Sequence, residues 1–284
     1  MTFQPNLLQG QRAFVTGGGT GICRGIALEL ARHGCDVAIT SRSSTHLDPT
    51  ADEIRAMGRR AVAVEADVRD PQAVEAAVAR TADELGGIDI LVNGAAGNFL
   101  CMAEHLSPNG FGAVVDIDLK GTFHCAKAAL PYLKRRGGVM LNISATLHYL
   151  GTPAQLHVAC AKAGVDALTR VLAVEWGPYG IRVNGIAPGP IADTEGVRRL
   201  LDDASTQRAV ETTPLRRLGR IRDVTDAAVF LCSDAASFIA GHTLVVDGGL
   251  WLTASRDAFA APPEVADARA SLSRSGASRQ RCRR

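Results

Sequence analysis

Apolar and polar positions along the chain alternate between two rhythms. Short apolar or β-branched runs predict strands at Arg12–Thr16, Asp36–Thr40, Ala61–Glu65, Ile88–Asn93, Gly138–Ser144, Ile181–Ala187 and Thr243–Val246. Between them, apolar residues spaced three and four apart predict helices at Gly21–His33, Asp48–Met57, Pro71–Leu85, Gly110–Lys134, Leu156–Glu175 and Arg222–Cys232. Strands that are nearly all apolar, alternating with such helices, fit a parallel sheet covered on both faces. The fold class expected is α/β, a doubly wound parallel sheet.

The rhythm breaks twice. From Pro188 to Leu218, prolines, charges and weak periodicity predict an excursion outside the sheet, of the kind that covers a substrate. Residues 255–284, rich in Ala, Ser, Pro and Arg, offer little to bury and are expected to be a disordered basic tail, leaving 1–254 as one domain.

Charge follows the same division. The formal net charge is +2, yet the tail holds seven arginines against Asp257, Glu264 and Asp267, a net of +4, so residues 1–254 carry −2. That body gives no electrostatic reason to expect nucleic acid as a partner. No apolar run reaches the ~18 to 20 residues of a membrane helix, and Met1–Gly10 lacks the basic start and apolar stretch of a secretion signal. Seven cysteines without metal-ligand spacing suggest neither a metal site nor a disulfide framework, and point to a reducing compartment.

The first strand runs into Thr16-Gly17-Gly18-Gly19-Thr20-Gly21-Ile22-Cys23 and then a helix. A glycine-rich turn there lets backbone amides and the helix dipole face a pyrophosphate, as in the dinucleotide-binding Rossmann fold. The third glycine of that pattern is Cys23, which makes the helix–strand approach tighter. After the second strand, where an acid would bind a bare ribose, the chain has Ser41-Arg42-Ser43, so a 2′-phosphate is favoured and NADPH is the expected cofactor. Asp67, beside Val68, is placed to accept from an adenine amino group; a helix cap before Pro71 is the other reading.

Further along stand Asn93-Gly94-Ala95-Ala96-Gly97, the stretch from Asn142-Ile143-Ser144-Ala145 to Lys162, and Val246-Asp247-Gly248-Gly249. With the glycine turn, these resemble the short-chain dehydrogenase/reductase family over about Leu7 to Leu252. More narrowly, Gly97-Asn98-Phe99-Leu100, Asp116-Ile117-Asp118, His157 to Asp166, Glu175-Trp176-Gly177-Pro178 and Ala187-Pro188-Gly189-Pro190-Ile191 with Thr194-Glu195-Gly196 are similar to the peroxisomal-type 2,4-dienoyl-CoA reductases. Ordinary family members place a tyrosine four residues before the lysine and a serine thirteen residues before that tyrosine. Here those positions hold Val158 and Ala145, neither of which donates a hydrogen bond or titrates. Carbonyl reduction would lose general-acid help worth roughly 10²–10⁴ in rate. The mitochondrial type of dienoyl reductase has a tyrosine fifteen residues before the lysine, where this chain has Leu147.

The resemblance implies that Lys162 holds the nicotinamide ribose, that Asn93, Ala95, Thr194 and the Pro188–Gly189–Pro190–Ile191 loop contact the cofactor, and that Asp118 replaces an asparagine. It also implies Arg69, Phe99, the Ser107–Pro108–Asn109 turn and Arg199 as contacts to an acyl-CoA thioester. In a 2,4-dienoyl thioester, hydride at C5 pushes electrons into an extended enolate that takes a proton at C2, so no tyrosine beside a carbonyl carbon is needed. Lys162, Asp166 at i+4 and Asp118 are expected to hold a water as proton source, Asp166 by pairing with Lys162. A simple helix-face salt bridge is the plainer role for Asp166, and a hydrogen-bonded structural role the plainer one for His157. The nearest rival function is trans-2-enoyl-CoA reduction; a silent NADPH-binding protein is the rival from another class. By family analogy a homo-oligomer, a tetramer, is expected, without a membrane or nucleic-acid partner. The ending Arg281-Cys282-Arg283-Arg284 lacks a peroxisomal tripeptide, so a cytoplasmic location is expected.

Overall fold

Alternate residues of the strands serve two different cores. Ala13 and Val15 of β1 (Arg12–Thr16) pack with Val37, Ile39, Val92 and Leu141 on one face, while Phe14 packs with Ala38, Leu91, Met140 and Val183 on the other. This is why the strand sequences are apolar throughout. The computed structural model describes residues 2–253 and shows seven parallel strands in the order β3-β2-β1-β4-β5-β6-β7. The others are β2 (Asp36–Ser41), β3 (Ala61–Glu65), β4 (Ile90–Asn93), β5 (Gly138–Ile143), β6 (Ile181–Pro188) and β7 (Thr243–Val246). The order reverses between β1 and β4, the switch point at which doubly wound sheets open a crevice. The expected basic tail lies outside the described residues.

The helices follow the predicted pattern with two corrections. On one face lie α1 (Gly21–Arg32), α2 (Leu47–Ala56) and α10 (Ile221–Cys232); on the other, α3 (Pro71–Leu85), α5 (Gly121–Leu133) and α7 (Leu156–Trp176). The predicted helix Gly110–Lys134 starts earlier and is not continuous. Ser107 caps α4 (Pro108–Val115), and a wider π turn over Asp116–Lys120 separates it from α5. That turn points Asp118 inward, where it is fully buried, while Asp116 and Lys120 pair on the outside at 2.7 Å. Such bulges are frequent at functional sites.

The excursion after β6 is more ordered than its sequence suggests. It contains α8 (Glu195–Leu200) and α9 (Asp203–Thr212), capped by Thr194 and Asp202. Its two ends are tied at the base by Ala192 N–H to the Gly219 carbonyl (2.8 Å) and Gly219 N–H to the Pro190 carbonyl (3.0 Å). A short helix, α6 (Leu147–Leu150), follows β5.

Candidate active site

At the switch point the glycine turn is fastened before it meets any ligand. The Thr16 hydroxyl accepts from the amides of Gly94 (2.9 Å) and Ala95 (3.1 Å), joining the loops after β1 and β4. Gly17 has φ +69°, the left-handed region that favours glycine, and a Cβ at Gly18 would lie 2.6 Å from Ile39. Cys23 is buried, and its bulk is absorbed across the gap: a Cβ at Gly94 would lie 2.0 Å from the Cys23 sulfur. Burial pushes the Cys23 thiol up to about 12, so it is inert packing.

A groove of about 480 Å³ runs from Gly17, Thr20, Gly21 and Ile22 past Ser41, Arg42, Asp67 and Val68 to Ala95, Gly97, Ile143 and Thr194. At its phosphate end the first turn of α1 has no side-chain cap and no acid, leaving its amides open to an anion. Arg42 is exposed and has no ion pair among the described residues. These features fit a dinucleotide. Gly19 turns instead onto His46, and Ser43 caps the short turn that follows it. Asp67 is gripped by Arg69, whose hydrogen bonds outweigh burial and hold the carboxyl below its usual range. The cap before Pro71 is Asp70, which accepts from the amides of Gln72 (2.9 Å) and Ala73 (3.2 Å); the alternative reading of Asp67 is thereby corrected.

Around Lys162 the arrangement differs from the expected one. Its ammonium donates to the Ile143 carbonyl (2.8 Å) and lies 3.1 Å from Asp118 Oδ2, both side chains being almost wholly buried. The other oxygen of Asp118 accepts the Gly97 amide (2.7 Å), tying the loop after β4 to the π turn. Asp166 does not pair with Lys162. It accepts from His148 Nε2 (2.9 Å), the Tyr149 hydroxyl (2.8 Å) and the Thr243 hydroxyl (3.2 Å). Burial opposes its ionisation, but the His148 and Tyr149 hydrogen bonds, aided by the nearby Ser144 hydroxyl, hold it below the usual carboxylate range. The same contact, after burial, pushes the Tyr149 hydroxyl well up. His148 and Tyr149, on α6, have no sequence signal linking them to α7; the pairing exists only in three dimensions. The tyrosine position is filled by packing, with Val158 buried against Val114 and Ala161.

The remaining site residues divide. Phe99 is part-exposed, its ring 4.3 Å from that of His157. Ser107 is spent capping α4 through the Gly110 amide (3.0 Å), with Pro108 and Asn109 in the first turn, and Arg69 is turned to Asp67. Asn93 donates to Asn142 (2.9 Å), a strut between β4 and β5 rather than a free contact. Pro188, Gly189, Pro190 and Ile191 do not line the groove: Gly189 N–H bonds the Val246 carbonyl (3.0 Å), and Ile191 is buried. Thr194 lines the groove and caps α8. The side chain of Arg199 lies outside the described residues. His157, expected to be a hydrogen-bonded structural residue, is fully buried, and neither ring nitrogen makes a hydrogen bond of normal geometry to the protein, the Phe99 carbonyl lying close by.

Comparison with known proteins places this geometry. The family model described as enoyl-(acyl carrier protein) reductase matches residues 17–251. The chain is 46% identical over 264 residues to the peroxisomal 2,4-dienoyl-CoA reductase [(3E)-enoyl-CoA-producing] of Arabidopsis thaliana, covering 89% of each chain. It is 40% identical over 249 residues to the Bacillus subtilis protein named 2,4-dienoyl-CoA reductase [(2E)-enoyl-CoA-producing] with the qualifier "Probable", covering 86% of this chain and 98% of that one. Among solved structures, a short chain dehydrogenase from Bacillus anthracis superposes with a TM-score of 0.78 at 38% identity, covering 86% of this chain and 97% of that one.

Proposed function

This chain belongs to the short-chain dehydrogenase/reductase family, and on that footing we propose that it reduces 2,4-dienoyl-CoA thioesters to 3-enoyl-CoA with NADPH, in the oxidation of unsaturated fatty acids. The observation that carries the proposal is the buried Lys162–Asp118 pair beside a tyrosine position filled by Val158. A site that keeps its lysine but packs hydrocarbon where the acid should be lacks the donor for ketone reduction. Conjugate reduction places the new C–H bonds on carbon and needs only a transient charge on oxygen to be stabilised. The relatives that match at 46–48% identity over most of the chain bear names specifying the (3E) product, which supports the 3-enoyl product over the 2-enoyl one.

Bound in the groove, NADPH supplies the hydride. The chain's own residues do the rest: Lys162 positions the ribose and contributes positive charge, Asp118 fixes Lys162, and Asp166 holds α6 in place against α7. The proton added at C2 comes from water near Lys162 and Asp118. Exposed Arg42, with Ser41, is the natural partner for a 2′-phosphate. Six described cysteines are all free, in keeping with a reducing compartment such as the cytoplasm. Exposed Phe123 on α5 and Val171 and Val174 on α7 give apolar faces suited to a homo-oligomer, read directly by light scattering.

A second reading is trans-2-enoyl thioester reduction, favoured by the description of the family model. The deciding experiment follows NADPH absorbance with medium-chain 2,4-dienoyl-CoA, 2-enoyl-CoA and 3-oxoacyl-CoA in parallel. Turnover of the dienoyl thioester alone is expected, and Lys162→Ala should lower it by roughly 10²-fold or more. Preference for the 2-enoyl thioester selects the second reading; an unchanged Lys162→Ala rate defeats the mechanism. Arg42→Glu should reverse the preference for NADPH over NADH.

A further inference from the structure

A buried imidazole is normally tied by at least one of its nitrogens, because an unpaired polar group away from water is costly. His157 departs from this: it is fully buried in the first turn of α7, and neither Nδ1 nor Nε2 makes a hydrogen bond of normal geometry to the protein, the Phe99 carbonyl lying near the ring without closing one. It sits one residue before Val158, beneath the part-exposed ring of Phe99 and beside the charge of Asp118. Burial lowers its basicity, only partly offset by the Phe99 carbonyl and Asp118, so the ring is neutral and carries one N–H. Nearby along the chain, Asn98 Oδ1, next to Phe99, and Gln155 Oε1, two residues before His157, are also buried without a protein hydrogen bond. Phe99 lies on a segment pinned at Gly97, by Asp118, and at Cys101, whose amide donates to the Ala154 carbonyl (3.0 Å). The ring between these pins is the cover over the imidazole.

We propose that His157 donates the hydrogen bond that holds the substrate's thioester oxygen and its enolate, the task left open by Val158 and Ala145. The inference rests on the dienoyl-thioester reading. As hydride forms the new C5–H bond, the C4–C5 pair becomes the C3–C4 double bond, the C2–C3 pair moves to C1–C2, and the carbonyl pair goes to oxygen, where it meets the His157 N–H. His157 keeps its proton; C2 is protonated by water, which is replenished from solvent. A neutral donor suits this place because it stabilises developing negative charge without repelling the buried Lys162 ammonium, a pattern known for neutral imidazoles that polarise carbonyls. Substrate entry turns the Phe99 side chain aside and uncovers the ring.

The test compares wild type, His157→Leu and His157→Gln. Wild-type turnover of dienoyl-CoA is checked first, since its absence defeats the functional reading and not this assignment. In active enzyme, His157→Leu should lower kcat by about 10²–10³-fold, with NADPH affinity unchanged and the thermal midpoint equal or higher, because an unpaired polar ring gives way to hydrocarbon. His157→Gln, which restores an N–H, should recover most of the rate. The red shift of the bound diene's absorbance, taken with NADP⁺ in the site, should be present in wild type and absent in His157→Leu. A Leu variant with kcat within about threefold of wild type, or one that keeps the full red shift, overturns the proposal. So does a loss of kcat that merely tracks a loss of thermal stability in both variants.

Discussion

The corner where β1 meets α1 and the corner where α4 meets α7 lie at the same edge of one sheet, yet they are built differently. In the first, the loop is fastened within the protein while the first-turn amides of α1 stay open: Thr16 accepts two amides, and the Gly17 amide donates to the Thr40 carbonyl at 2.8 Å. In the second, several buried polar atoms make no hydrogen bond of normal geometry, although Asp118 Oδ2 is ion-paired with Lys162. Of the ten buried side-chain polar atoms with no protein hydrogen bond among the described residues, eight lie between Asn93 and His157. Native proteins leave few such atoms. On the proposed function, His157 and the atoms near it are where a polar substrate and water would complete the structure, whereas the glycine corner offers backbone amides to a cofactor of fixed shape. Binding a dinucleotide needs a rigid mould; stabilising a transient enolate needs donors not already used.

That contrast can be broken at several points. The largest effect is expected from Asp118→Ala, which strands the Lys162 ammonium in a buried site and should cost about 3–5 kcal/mol of stability, read from chemical denaturation. An Asp118→Ala protein as stable as wild type would mean that the pair is not the keystone of the α4–α7 corner. Next is Gly94→Ala, whose new methyl collides with the Cys23 sulfur and should cost about 1–3 kcal/mol by overpacking. Combining it with Cys23→Ala should recover most of that loss, and the non-additivity of the double-mutant cycle measures the contact. Additive losses would show that Gly94 and Cys23 do not share one tightly moulded contact.

The smallest effect sharpens the comparison through pH. The Asp166 carboxyl titrates below its unfolded value, so its contribution to stability is present above about pH 4 and is lost as pH falls from there through the folded value. Asp166→Asn should therefore lower stability by about 1 kcal/mol at neutral pH, and the gap from wild type should close in acid. A gap independent of pH would show that the carboxylate charge contributes nothing to holding α6.

Much of this was legible beforehand, for identifiable reasons. Strand and helix positions follow from period-two and period-three-to-four patterns, which are local. The glycine turn and Arg42 are read from their place after the first two strands, and Lys162 and the vacancy at Val158 from the resemblance, whose motif fixes the offsets along one helix. The π turn that aims Asp118 was not legible: Asp116, Asp118 and Lys120 fit an ordinary helix equally well, and the close approach of Gly121 to Val68 and the tie of Asp118 to Gly97 that accompany the wider turn join segments distant in the chain. Asp166 was placed correctly on the face of α7 but given the wrong partner, since spacing at i+4 identifies what is near on the same helix and says nothing of α6 or β7.

The sequence by itself therefore determined the doubly wound sheet and the glycine turn at its switch point, because each depends on residue type at short range. Only the tertiary structure decided which charges meet and which polar groups stay unpaired. Lys162 with Asp118, Asp166 with His148 and Tyr149, and His157 alone beneath Phe99 are all decided by contacts between segments distant in the chain. Such contacts are set by how whole elements pack and by the high cost of leaving a buried charge without a partner, and neither is written in local spacing.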